Sequence, residues 1–462
     1  MKKIICVLLT ALLAFSFAAC NTGEKLPPSV AFDENSIVLT FAAMSDVHES
    51  GTTGTQQDKK FRAALDLINS LYDVDALLFA GDLTDGGTAE HAAIFGSVIE
   101  EYYPDGIPVI YALGNHDGYG GNGPDLYPTV YPEFFYSADI DKDSIDSGNR
   151  HAVVNGYHFI TLEVTDYYGS DGKCHYSEET IEWLRGALSD AAADDPSKPI
   201  FFATHAQLYG TVYGSDLPGS GTCWYSDELN GIFAEYPQCV TFAGHVHYPL
   251  NDERSISQTG FTSLGTGSVY YMAIDPGYTQ TGAGAVTADC KQVSNGLVLE
   301  VDANNNVRIT RLDFIAGEII KTPWEISAPG TSGANKNYDS SRTANNAAPS
   351  FANGVSVELL SKEQYSTGLC SVAFKITSAV DDDLVHHYYI EVSKDGSVVS
   401  SFKTFSDFYL HADPADMSDT TVITLNNLPG NSEFTVTVRA VDSFGLESKS
   451  FSFTVNTPGA AN

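Results

Sequence analysis

Positive charge is what this 462-residue sequence has least of. Lys and Arg together number 24 against 59 Asp and Glu, a formal net charge of -35. No run of lysine or arginine occurs anywhere, so the basic stripe that a DNA or RNA polymer requires is missing. That excludes work on long nucleic acid and leaves small nucleotides open. Cysteine is scarce as well, at 7 residues. Cys174, Cys223, Cys239, Cys290 and Cys370, the five beyond the N-terminal segment, are spaced too widely and irregularly for a zinc knuckle or a dense disulfide framework. An odd number leaves at least one unpaired within the chain. One or two bridges suit an oxidising compartment, and spacing does not assign them. Long apolar runs are missing after the first twenty residues: no later stretch approaches the roughly 20 apolar residues that span a bilayer.

The exception is the N-terminus. Lys2 and Lys3 precede an apolar run from Ile4 to Ala19 and then Cys20, the pattern of a secretion signal. Phe17-Ala18-Ala19-Cys20 resembles a bacterial lipoprotein processing box, with Phe17 where leucine is usual. The expectation is a signal peptide over 1–20 and a Pro27-Pro28 tether over 21–36. The mature protein would be exported and held at the membrane of the bacterial cell envelope through lipidated Cys20; a soluble secreted form is the alternative.

What the sequence does have is five short segments carrying ligand-type side chains: Asp46-Val47-His48, Gly81-Asp82, Gly114-Asn115-His116-Asp117, Thr204-His205 and Gly244-His245-Val246-His247. A buried-strand-like apolar stretch precedes each: Ile37 to Met44, Ala76 to Ala80, Pro108 to Leu113, Ile200 to Ala203, and Val240 to Ala243. Helical spacing shows at Phe61, Leu65, Ile68 and Leu71, and again at Ile181, Leu184, Ala187 and Leu188. Strand followed by helix predicts parallel βαβ pairing, and in such sheets ligands collect beyond the carboxyl ends of the strands. Taken singly, Asp-x-His or Gly-Asp is an ordinary strand end or turn. Five in order, each after an apolar run, predict one convergent site. Carboxylate, imidazole and one amide oxygen, without thiolate, suit Zn, Mn or Fe.

These segments match in order the pattern of the calcineurin-like metallophosphoesterase superfamily, and the resemblance covers about residues 37 to 315. It implies a phosphoric ester hydrolase with two divalent or trivalent metal ions. One ion would be held by Asp46, His48, Asp82 and His247, the other by Asp82, Asn115, His205 and His245, with Asp82 bridging. A bridging carboxylate can hold two cations roughly 3.5 to 4 Å apart, and a hydroxide shared between them would attack phosphorus. By the same resemblance His116 is the general acid, with Asp117 and Asp85 orienting imidazoles. The fold implied is α/β, a four-layer sandwich with two central β-sheets flanked by helices. Many phosphomonoesterases of the superfamily carry an arginine where this chain has Gly86, which makes diesters relatively more plausible; Arg150 is a substitute candidate.

The catalytic domain is expected over 37–321 and a linker over 322–349, rich in Ser, Ala, Asn, Gly and Pro, that partly docks through Trp324 and Ile326. Residues 350–458 alternate as strands at Val355-Val357-Leu359, Val372-Phe374-Ile376, Tyr389-Ile390-Val392 and Phe434-Val436-Val438, which predicts a C-terminal β-sandwich, and Leu428 followed by the run Phe434 to Asp442 resembles the late strands of a fibronectin type III module. That module packs on the catalytic unit as a spacer, or uses Tyr388, Tyr389, Phe405, Phe408 and Tyr409 for carbohydrate or surface contact. Two aromatic loops, Gly118 to Ser137 with Tyr119, Tyr127, Tyr131 and Phe135, and Leu208 to Tyr225, are candidates to border the substrate. The rival readings are an anchored binding protein on an inactive hydrolase scaffold and a metal-dependent amidase.

Overall fold

The computed structural model describes residues 31–120, 148–217, 223–279, 286–329, 337–351, 354–365 and 368–459. The expected signal peptide, Cys20 and most of the tether fall outside these residues, as do Tyr127, Tyr131 and Phe135. No described helix is long and apolar enough to cross a membrane.

In chain order the first domain contains β1 (Ile37–Met44), α1 (Gln56–Leu71), β2 (Ala76–Ala80), α2 (Ala89–Tyr102), β3 (Val109–Ala112), β4 (Arg150–Val154), β5 (Tyr157–Leu162), α3 (Glu178–Asp194) and β6 (Ile200–Thr204). The short strands β7 (Gln207–Leu208) and β8 (Tyr225–Ser226) follow, then β9 (Cys239–Ala243), β10 (Ile256–Gln258), β11 (Thr262–Gly265), β12 (Asn295–Asp302), β13 (Val307–Asp313) and β14 (Glu318–Ile326). One six-stranded sheet has the order β14-β13-β12-β1-β2-β3, the other β10-β11-β9-β6-β5-β4. Each is mixed. β1, β2 and β3 run parallel in the first, as do β5, β6, β9 and β11 in the second, with antiparallel strands at the edges.

The two sheets face each other across one apolar core, in which Phe41, Leu78 and Leu299 of the first meet Phe159, Phe201 and Phe242 of the second. Phe41 packs edge-on against Phe159 and Phe201, with ring centroids 5.0 and 4.7 Å apart. Alternate side chains of the same strands supply the outer faces. There α1 and α2 set Phe61, Leu65, Ile68 and Phe95 on Leu77 and Phe79, and α3 sets Leu184, Ala187 and Leu188 on Ile160 and Phe202. Leu71, expected on the buried stripe of α1, is the last residue of the helix and is exposed. Thr55, Thr88 and Ser177 cap the three helices through their side chains. The result is the expected four-layer α/β sandwich.

The expected linker does not begin at 322. β14 continues to Ile326 because Ile309 pairs with Trp324 and Val307 with Ile326 on β13, which carries both bulky residues into the inter-sheet core. The Arg311 guanidinium lies 4.0 Å over the Trp324 ring.

The C-terminal module is an antiparallel β-sandwich. Its sheets are β15 (Val357–Gln364), β16 (Leu369–Thr377) and β19 (Thr420–Pro429) on one side, and β18 (Ser397–Phe405), β17 (Val385–Lys394), β20 (Glu433–Asp442) and β21 (Phe451–Asn456) on the other. Val372, Phe374 and Ile376 face Val436 and Val438 across its core. Val357 and Leu359 do not join them; β15 is an edge strand with a bulge, and both are exposed. Tyr388, Phe405, Phe408 and Tyr409 are buried, which removes these rings as a sugar-stacking face. The last three form a shared core with Met272, Ile274, Tyr278 and Val293 of the first domain. Tyr278 stacks on Phe405 at 3.7 Å, and Asn251 donates from Nδ2 to the His411 carbonyl at 2.8 Å. His386 and His387 are buried at the same contact, where Tyr213 meets His386 Nε2 at 2.8 Å. All five cysteines of the described residues are buried thiols.

Candidate metal centre

β1, β2, β3, β6 and β9 all deliver their carboxyl ends to one rim, and each chain turns sharply there. Asp46, His48, Asp82, His245 and His247 have φ between 50° and 71°, the left-handed region that side-chain-bearing residues avoid. Such backbones cost about 1–3 kcal/mol each and persist where the surroundings fix them. Here the turns are cross-linked: Asp46 N donates to Gly81 O, and His48 N to Asp82 O, both at 3.0 Å. Glycine before the ligands is required by close approach. A Cβ on Gly81 would lie 2.3 Å from His205 Nδ1, and one on Gly114 would lie 1.9 Å from Asp82 Oδ1.

Two ligand clusters result. Asp46, His48, Asp82 and His247 bring one donor atom each within 4.8 Å of one another, and so do Asp82, His205 and His245. Asp82 belongs to both. His247 Nε2 lies 2.9 Å from Asp46 Oδ1, and His205 Nε2 lies 3.2 Å from Asp82 Oδ2. Asn115, on the turn after β3, has a buried Oδ1 that accepts from no protein donor while its Nδ2 donates to Tyr119 Oη at 2.7 Å, which leaves that oxygen open to a cation.

The donor set fits a pair of cations. Three of the four imidazoles have one ring nitrogen occupied by a backbone acceptor: His205 Nδ1 on Ala80 O (2.8 Å), His247 Nδ1 on Tyr271 O (2.9 Å), His245 Nε2 on Cys223 O (3.0 Å). His48 Nδ1 lies 3.4 Å from Asp85 Oδ1. In these rings the other nitrogen faces the carboxylates as the ligand atom. Burial lowers the pKa of His205, but the charge of Asp82 and the bond to it outweigh burial and raise it to about 9, so without a cation this ring holds a proton. Burial pushes Asp46 up, but His247 and His205 outweigh it and hold the carboxyl at about 2. Burial, followed by the charge of His205, drives His245 down to about 3, so it stays neutral.

His116 belongs to a third, more exposed group, with His48 and Asp85, whose ligand-type atoms also lie within 4.8 Å of one another. Its N donates to Asp82 Oδ1 at 2.9 Å, and its Nδ1 contacts Asp85 O at 2.9 Å and Asp85 Oδ1 at 3.6 Å. Burial lowers its pKa, yet the bond to Asp85 and the charge of Asp82 prevail and raise it to about 9. Asp85 therefore faces two imidazoles, His48 and His116. Asp117 faces neither. It is buried, and its carboxylate accepts from the backbone N–H of Leu83, Thr84 and Gly114 and from Thr84 Oγ1, tying the Asp82 turn to the Asn115 turn. Orienting an imidazole is not its role.

Arg150 does not approach the rim either. It is buried, with its guanidinium 4.2 Å over the Tyr111 ring and a hydrogen bond to that hydroxyl. Of the two aromatic loops, the first places Tyr119 against His116, ring centroids 4.5 Å apart, and the second supplies the Cys223 carbonyl that holds His245. Gln207 donates to the carbonyls of Ala243 and Gly244 and braces the turn before His245.

Sequence reasoning missed Tyr270 and Tyr271. Their rings stand 5.9 and 5.6 Å from His48, and Tyr271 is 4.1 Å from His247. The signal was present. β11 is another strand parallel to β9, so the segment after it ends on the same rim.

Residues 39–249 match the family described as calcineurin-like phosphoesterase. A probable cyclic nucleotide phosphodiesterase of Rhodococcus erythropolis is 32% identical over 124 residues, which is 26% of this chain and 36% of that protein. The chain thus spans about a third of that curated relative's length. Among solved structures, a purple acid phosphatase from yellow lupin (Lupinus luteus) seeds aligns with 64% of this chain and 55% of its own, at 16% identity and a TM-score of 0.45. The fn3 domain of human collagen alpha-1(XX) chain aligns with 24% of this chain and 93% of its own, at 18% identity and a TM-score of 0.15.

Proposed function

We propose that the calcineurin-like phosphoesterase domain of residues 39–249 hydrolyses a phosphoester at the paired clusters joined by Asp82. The observation that carries this reading is the shared carboxylate, buried between two groups of imidazole and oxygen donors. Asp46, His48, Asp82 and His247 would hold one ion, and Asp82, Asn115, His205 and His245 the other, with Zn, Mn or Fe the metals of choice for these donors. When bound, the ions supply Lewis acidity to the phosphoryl oxygens and lower the pKa of the attacking water.

The chain's own residues do the rest. Asp82 accepts the His116 backbone N–H, and Asp85 holds Nδ1, so the His116 imidazole is fixed and protonated with Nε2 available to the leaving alkoxide. Tyr119, its ring tilted against His116 and its hydroxyl bonded to Asn115, walls the leaving-group side. Asp117 preserves the register of the two ligand turns.

Diesters are the favoured substrates. Gly86 offers no side chain to a terminal phosphate, Arg150 is spent on Tyr111, and the Rhodococcus relative is named for a diester activity. The full chain is read as exported and anchored through lipidated Cys20, which Cys20→Ser tests: the variant should leave the membrane fraction. The first experiment is to strip the protein of metal and assay a nitrophenyl monoester and a bis-nitrophenyl diester after adding back Mn, Zn or Fe. Metal-dependent turnover with diester preference is expected. Two bound metals without turnover of any phosphoester would favour the inactive scaffold instead.

A further inference from the structure

The site is built of acids in an acidic molecule. Asp46, Asp82, Asp85 and Glu49 all lie at the rim, and the chain carries a net charge of -35. An anionic substrate approaching it needs local positive charge beyond the ions. Among the cations near this wall, Lys60 is buried, its Nζ committed to the carbonyls of Tyr270 (2.6 Å) and Val293 (2.7 Å). Lys291 differs: it is exposed, and its Nζ donates to Tyr270 Oη at 2.6 Å while lying 4.7 Å from the centre of that ring.

We propose that Lys291 and Tyr270 together form an anion-binding subsite beside the metal-ligand cluster, taking the charged oxygens of the substrate's phosphoryl group. This deepens the phosphoesterase reading and rests on it. Tyr270 is fixed to the cluster by its backbone, since its N–H donates to Asp46 O at 3.0 Å and its carbonyl accepts from Lys60. Its ring stands 5.9 Å from that of His48. A hydroxyl that accepts from an ammonium keeps its own proton to donate, and the ammonium has two further donors. An oxygen anion at this point meets both.

The turn that carries Lys291 is itself held. The Cys290 carbonyl accepts from Met272 N at 3.0 Å, the Lys291 carbonyl from Gln56 Nε2 at 3.2 Å, and Asp289 from Tyr409 Oη at 2.9 Å. Lys291 is thus a presented charge and not a free surface lysine.

The test uses the metal-loaded full chain with Lys291→Met, Lys291→Arg and Tyr270→Phe. The readouts are KM and kcat for the nitrophenyl monoester and diester, inorganic phosphate affinity by calorimetry, and metal content. For Lys291→Met we expect KM for the dianionic monoester to rise about tenfold, the loss of one charge-assisted hydrogen bond. Phosphate affinity should fall by the same factor, KM for the singly charged diester, the favoured substrate, should rise in the same direction by a smaller factor, and metal content should be unchanged. Tyr270→Phe should weaken phosphate binding in the same direction, and Lys291→Arg should restore most of the loss. Unchanged KM and phosphate affinity in Lys291→Met, or a wild type that binds no phosphate, would overturn the subsite. A wild type that binds phosphate more tightly than Lys291→Met but turns over neither ester would sink the hydrolase reading and leave the subsite standing.

Discussion

Asp82 is the residue on which both clusters depend, so its loss should not be partial. Asp82→Asn keeps the shape and removes the charge; metal analysis is expected to show both ions lost and turnover gone, whereas loss of a single ion would mean that the two groups do not share this carboxylate. His116→Ala should behave in the opposite way, retaining metal while kcat falls about 100-fold or more, in the range of general acid catalysis. The ligand residues were legible in the sequence because each follows an apolar strand. The partners of those residues were not. Asp117 looked like an orienting carboxylate from its place beside His116, but the backbone N–H groups it accepts come partly from Leu83 and Thr84, far away in sequence. Arg150 was a candidate to replace the missing clamp, and nothing in its own neighbourhood of the chain indicates that Tyr111 lies beneath it.

At the scale of elements, the strands before the ligand segments announced themselves through apolar runs, those of the sandwich through alternation, and α1 and α3 through helical spacing; the loops that decide function did not. β11 escaped notice because it is four residues long and rich in polar residues, Thr262 and Ser263 among them, yet it brings Tyr270 and Tyr271 to the rim. The turns at the rim also carry a thermodynamic expectation. Five ligand residues in the left-handed region and two buried carboxylates at close quarters are conditions that bound cations relieve. Chelation should therefore lower Tm, and restoring metal at about 100 times its Kd should return about 2.7 kcal/mol; a Tm indifferent to metal would show the rim to be equally stable without it. β14 supplies a pH test. Glu253 accepts from Arg311 Nη1 at 2.8 Å and Trp324 Nε1 at 2.7 Å. Burial raises its pKa, but Arg311 and Lys321 outweigh this and bring it from 4.5 to about 2. Its contribution is full above pH 4.5 and is lost as pH falls toward 2. In that window the stability of Glu253→Gln should fall less steeply with acid than that of the wild type, as urea unfolding at several pH values would show.

On the scale of the whole molecule, composition and alternation marked out two domains, and what they left hidden was the surface between them. Whether Phe405, Phe408 and Tyr409 pack or face outward stayed open in the sequence because the partner that covers them, Met272 to Tyr278 and Val293, lies more than a hundred residues earlier. The covering segment follows directly from Tyr270 and Tyr271, so the sandwich backs one wall of the metal centre. Removing residues 350–462 is expected to lower Tm and reduce turnover, because Met272, Ile274 and Val293 would meet water; an intact, fully active truncated protein would show the contact to be incidental.

That common core also bears on how such a chain can be rearranged over time. A module joined only by a flexible linker can be exchanged for another like a bead on a string. Here an exchange would have to bring with it residues that fill the spaces around Tyr278 and Ile274, or else leave an apolar stripe bare. The two halves are therefore bound to be inherited as one unit, and a substitution in either is constrained by the other.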